Sequence, residues 1–260
     1  NGSGVNHATT LRGIFAQAGT SGAATITNNS VTVRGGGTTT VLTAIDNGIG
    51  STAVSSNTVS INNNTIRFSY TTATTGLFSA ITNSATAGSV NINNNNIQQL
   101  EATNYPSTGT VAVIVGGSPG GTLNINNNVI SNFNMTGASG TLRAITASTP
   151  TGLYTCTGNT IENLSYSTST STGSITGIYN LASATLQNYN NNIIRNFSTP
   201  TTGTLNGIQN NTVVGTFQCK NNEIYNFSTT SGGAGGFSAN GIIWSNNIVD
   251  IEQNLIYNIN

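Results

Sequence analysis

Six carboxylates are the first place to look for chemistry in this chain: Asp46, Glu101, Glu162, Glu223, Asp250 and Glu252. Glycoside hydrolysis needs two of them facing one sugar across about 5 to 10 Å. Asp250 and Glu252 lie two residues apart, so on a strand they share a face, and they form the one candidate acidic pair. The bases offer no companion cluster. Arg12, Arg34, Arg67, Arg143 and Arg195 are scattered, and His7, the single histidine, has no Cys or Asp triad near it in sequence. Cys156 and Cys219 fall short of the four ligands of a structural zinc site. "VGGSPGG" (115–121) lacks the lysine of a phosphate-binding loop, and "SGGAGGF" (231–237) lacks the regular aspartates of a calcium-binding β-roll. The reading is therefore no catalytic site, no cofactor and no metal, hence not an enzyme. Tyr225 and Tyr257 are the residues that could meet a sugar ring, or stack on each other.

What would hold such residues in place is legible from a repeated word. "SVNINNNNIQQL" (89–100) carries four consecutive asparagines, and variants of it return as "SINNNTIRF", "NINNNVISNF", "NYNNNIIRNF" and "CKNNEIYNF". Anchored on the asparagine two places before the aliphatic residue, the word falls at Asn29, Asn64, Asn95, Asn128, Asn159, Asn192, Asn222 and Asn254. A second anchor, the isoleucine of "LRGI", "LTAI" or "ITGI", keeps the same phase at Ile14, Ile45, Ile81, Ile114, Ile145, Ile178, Ile208 and Ile242. Two anchors in step through eight copies define one array over residues 1–260, with units of about 33 residues. Each unit holds three short words rich in β-branched and aromatic residues, bounded by turn formers. Three short strands cannot bury an apolar face alone, so the units must stack as a β-solenoid.

Stacking explains the asparagines. Equivalent residues of neighbouring coils lie about 4.8 Å apart, so one repeat position becomes a column, and an amide can donate and accept along it. Asparagine also tolerates the left-handed backbone of a tight bend. The eight anchors are expected to form a structural ladder at a turn, with a second ladder through Asn132, Asn163, Asn196, Asn226 and Asn258. The same alignment pairs Glu162 with Arg195 and Lys220 with Glu252 on adjacent coils. It places Cys156 and Cys219 in a column otherwise filled by isoleucine and Tyr189, as two buried residues two coils apart, beyond disulfide reach. Phe133, Leu164, Phe197, Phe227 and Ile259 form a core column.

Composition narrows the function. Only 5% of residues are charged and the formal net charge is zero, which leaves nucleic-acid binding without an electrostatic basis. No apolar run reaches the 18 residues of a membrane-spanning helix, and membrane insertion is not expected. The chain starts at Asn1 and ends inside a repeat word, as a window of a longer polypeptide would.

The order of strand, connection, strand, short Asn turn, strand and long loop resembles the right-handed parallel β-helix of the pectin-lyase-like superfold. The "INNNxI" and "IYNF" words resemble repeats of very large secreted and cell-surface proteins of Bacteroidota-type bacteria. The resemblance implies an extracellular or cell-surface location. The expected function is structural: the shaft of an extracellular fibre or adhesin, partnered by further repeats of the same chain or by head-to-tail copies forming a filament. The alternative is a carbohydrate-active or glycan-binding β-helix with its site on the inter-coil loops. An ice-binding surface would need a flat regular threonine array, whereas the threonines read mostly as loop residues.

Overall fold

The computed structural model describes every residue except 1–9, 18, 36–38, 40, 51–56, 71–72, 101–104, 118, 149–151, 201, 230–235 and 247. Its 24 strands fall into three eight-stranded sheets in which every neighbouring pair is parallel, and no helix occurs among the described residues. The chain is an all-β parallel β-solenoid of eight coils with three strands each. In the sixth coil the strands are Ser174–Asn180 in sheet A, Leu186–Asn190 in sheet B and Ile193–Thr199 in sheet C. Sheet A runs from Leu11–Ala16 to Ser238–Ile243, sheet B from Ala24–Thr27 to Ile248–Glu252, and sheet C from Ser30–Gly35 to Leu255–Ile259.

The interior is built from columns. On sheet C, Ile66, Ile97, Ile130, Ile161, Ile194 and Ile224 stack in register and are fully buried. Beside them Phe133, Leu164, Phe197 and Phe227 form the expected core column, and the Phe197 and Phe227 rings are parallel at 4.7 Å. Each such side chain contributes about 1.5–3 kcal/mol by leaving water. Gln187 interrupts the apolar column that holds Tyr154, and it is tolerated because it is satisfied. Its Nε2 donates to the carbonyls of Ala182, Ala184 and Val214, and its Oε1 accepts from Asn180 Nδ2.

The sheets differ in regularity. Sheet A breaks its pairing once per coil, at a column of small residues: Gly13, Ala44, Ala80, Val113, Ala144, Gly177, Gly207 and Gly241. From the fourth coil on, sheet C breaks at Asn132, Asn163, Asn196 and Asn226. Sheet B has no such recurring break, although in the fifth coil its strand is only Leu153–Thr155 and the pairing stops before Cys156.

The small column of sheet A is sterically enforced where the coils approach most closely. A Cβ at Gly207 would sit 2.5 Å from the Gly241 carbonyl oxygen and 2.9 Å from Ile224 Cγ2. Gly207→Ala is expected to lower stability by about 1–3 kcal/mol, read from the denaturation midpoint. Gly236→Ala, which meets nothing within 4 Å, should change little. Equal effects would show that coil spacing is not set there.

One expectation is corrected. The left-handed bend does not fall on the ladder asparagine but on the residue before it: Asn28, Asn63, Asn94, Asn127, Gly158, Asn191, Asn221 and Gln253 all have positive φ. The reason is division of labour. The bend residue turns the backbone and the next residue points its amide inward. The words with two or three consecutive asparagines supply these separate roles.

Candidate functional site

The eight anchor asparagines do form a continuous ladder. Asn64, Asn95, Asn128, Asn159, Asn192 and Asn222 are buried. At every step one Oδ1 accepts both the backbone N–H and the Nδ2–H of the preceding anchor, at 2.8–3.1 Å. The second Nδ2 hydrogen goes to a carbonyl at the end of the previous coil's sheet B strand, as from Asn128 to Ile92 at 2.8 Å. With its backbone carbonyl accepting from the next coil, as Asn128 does from Thr160 N–H, an interior anchor makes six hydrogen bonds, and its polar atoms are fully used.

The second ladder is also present but belongs to the surface. Asn163, Asn196, Asn226 and Asn258 each donate Nδ2–H to the Oδ1 of the coil before, at 2.9–3.1 Å. All four and Asn132 have positive φ, so here the laddering residue is itself the bend. Its polarity is opposite to that of the inner ladder.

A third ladder was not found from the sequence. It runs at the end of sheet A: Asn47 to Asn83 at 2.8 Å, Asn180 to Asn210 at 2.6 Å, and Asn210 to Asn246. Gly116 and Ala147 occupy its place in coils four and five. That gap hid the signal, although Asn47, Asn83, Asn180 and Asn210 each stand two residues after the anchor isoleucine. The spacing of 36 and 30 residues between its members would have revealed it.

The charged candidates pair as the repeat phase requires. Arg195 grips Glu162 through Nε at 2.7 Å and Nη2 at 2.6 Å. Lys220 lies 2.5 Å from Asp250 and 3.2 Å from Glu252, so the candidate acidic pair shares one ammonium. The two partners, Asp250 first, raise the lysine pKa. Arg12 pairs with Asp46 and lies over the Phe15 ring. His7 and Glu101 lie outside the described residues, as does most of the "SGGAGGF" stretch. No group of three or more His, Cys, Asp or Glu converges among the described residues.

Tyr225 and Tyr257 stack on each other with centroids 4.7 Å apart and planes within 7°. Arg195 donates to Tyr225 Oη at 2.8 Å, on the other side of the column. The stack runs along the solenoid axis, so its ring edges, rather than its faces, look outward. Cys156 and Cys219 are free and buried, and burial pushes each thiol up to about 12. No family model, curated protein or solved structure matches the chain.

Proposed function

We propose that this solenoid is a load-transmitting segment: a stretch of shaft in an extracellular fibre or surface adhesin, with no catalytic role of its own. The observation that carries the reading is the unbroken inner ladder from Asn29 to Asn254, which spends its amides on joining coils and leaves none for a ligand. The likeness of its words to repeats of large secreted Bacteroidota-type proteins, and of its coil order to the pectin-lyase-like superfold, supports the same assignment.

The last coil favours a coil-on-coil partner. Ile256 is 43% exposed, whereas its column neighbour Ile224 is fully buried. Leu255 and Ile248 are likewise exposed at the last coil, and unpaired strand edges accept further strands. Such contacts are heterologous and open, so they generate filaments. The partners proposed are further repeats of the same chain or head-to-tail copies. The test is the size of residues 1–260 in solution. Concentration-dependent linear assemblies, reduced by Ile256→Lys, are expected. A stable monomer indifferent to concentration would overturn the shaft reading and revive a self-contained glycan-binding or carbohydrate-active β-helix.

A further inference from the structure

Sheet B presents three outward columns: one runs through Thr58, Ser89, Thr122, Leu153 and Leu186, and the other two are uniform in chemistry. Over coils one to six they are Thr25 and Thr27, Ser60 and Asn62, Asn91 and Asn93, Asn124 and Asn126, Thr155 and Thr157, and Asn188 and Asn190. All twelve are short, polar and uncharged. The threonines assigned to loops by composition therefore include pairs on a sheet face. Outward columns on the other sheets carry large or charged groups, such as Arg143 and Tyr179 on sheet A and Arg67 and Arg195 on sheet C. On sheet B, charge begins only in coils seven and eight, at Lys220, Asp250 and Glu252.

These side chains are also held in place. The Oδ1 atoms of Asn62, Asn93, Asn126 and Asn190 accept the backbone N–H of Asn93, Asn126, Thr157 and Lys220 in the next coil, at 2.9–3.0 Å. In the neighbouring column Asn124 donates to Asn91 Oδ1 at 2.8 Å, and Thr155 Oγ1 donates to Asn124 Oδ1. The amide nitrogens of Asn62, Asn93, Asn126 and Asn190 make no hydrogen bond to a described residue, so they remain for an outside acceptor. The result is a pinned two-column array, repeating at roughly 4.8 Å across strands and roughly 6.6 Å along them, over roughly 24 Å of solenoid. At Asn62, Asn91, Asn93, Asn124, Asn126, Thr155 and Asn190 the rotamers are held before any ligand arrives, so binding there costs little side-chain entropy.

The chemistry of the array selects among partners. A nucleic acid needs positive charge, and this face has none. A tight protein interface centres on a buried aromatic or apolar anchor, and a soluble glycan site needs an aromatic face to stack on; the twelve positions hold neither, and the apolar residues beside them, Leu153 and Leu186, stand at the start of their strands on the margin of the array. A neutral array of hydroxyls and amides that repeats in two directions is suited to a partner that repeats in two directions itself and offers oxygen acceptors and donors. Ordered water is that partner. We infer that the outer face of sheet B over coils one to six binds ice, docking to the oxygen rows of its surface.

The test is uptake of fluorescently labelled residues 1–260 into slowly grown ice, with crystal shaping followed under a microscope. Wild type is expected to enter the ice and to facet its crystals. Asn124→Lys and Ser60→Lys, each placing a long hydrated cation in the plane, are expected to fall to the level of a non-binding protein. Gln98→Lys, outward on sheet C, should retain uptake. Circular dichroism and melting temperature verify that each variant is folded, and Ser60 makes no side-chain bond whose loss could unfold the chain. Exclusion of the wild type from ice, or uptake that survives both sheet B lysines, overturns the inference. Retention on insoluble chitin or cellulose that the same lysines abolish, without entry into ice, overturns it in favour of a polysaccharide surface.

Discussion

Asn128→Ala is expected to destabilise the solenoid by about 3 kcal/mol or more, against about 1 kcal/mol or less for Asn196→Ala. The difference comes from burial and from the number of orphaned groups. Asn128 is fully buried, accepts twice from Asn95 and donates to Asn159 Oδ1 and to the Ile92 carbonyl. Its truncation strands a buried N–H and Nδ2–H on Asn95, the Oδ1 of Asn159, which keeps one of its two donors, and a carbonyl in sheet B. Each buried unsatisfied group costs about 1–3 kcal/mol, with partial relief by relaxation. Asn196 lies in an exposed ladder, where water replaces the lost partners and the residual penalty is a left-handed alanine. Denaturant midpoints of the two variants against wild type make the measurement. Comparable losses at both sites would show that the inner ladder is not what joins the coils.

The contrast between the ladders also shows what could be read from the residues. The inner ladder was legible because the same word surrounds it in each coil, so the period could be counted twice. Coil number, strand count, the Glu162–Arg195 and Lys220–Glu252 pairs and the Tyr225–Tyr257 stack followed from the phase alone, since in a parallel stack equal repeat position means contact. Three things did not follow. The bend residue was misplaced by one, because a run such as Asn93–Asn96 does not say which amide turns the chain and which points inward. The sheet A ladder was missed because Gly116 and Ala147 interrupt it. The sheet B face was passed over because threonine was counted by composition rather than by alternation. Thr25 and Thr27 flank the inward Ile26, and that period of two is what places them on one surface.

Raising the pH into the alkaline range is expected to destabilise this protein strongly. Four tyrosines, Tyr105, Tyr154, Tyr166 and Tyr189, are buried; the hydroxyls of Tyr105, Tyr166 and Tyr189 have no hydrogen-bond partner among the described residues, that of Tyr154 has only the weakly bonding Cys156 thiol, and burial raises the pKa of each. Burial also holds the Cys156 and Cys219 thiols at about 12, against 9 for an ordinary thiol. The sign follows from proton counting. Between the unfolded and folded values the unfolded chain has released protons that the native chain keeps, so stability falls as pH rises. Below about pH 8.5 both states are protonated and the contribution is fully present. The loss begins near the unfolded thiol value, grows as unfolded tyrosines ionise near 10, and continues through the folded thiol value of about 12. One pKa unit corresponds to about 1.4 kcal/mol, so each thiol can withdraw a few kcal/mol across that window. The melting temperature at about pH 10.5 should lie clearly below that at pH 7. Phenolate absorbance of these four residues should appear only with unfolding. Tyr189→Phe sharpens the test. It removes a hydroxyl that lacks a partner, so stability at pH 7 should hold or rise, while the alkaline loss shrinks by one group. A melting temperature independent of pH up to about 10.5, or tyrosines that all ionise at their ordinary value near 10 in the folded chain, would refute a dry, close-packed interior between Tyr154 and Cys219.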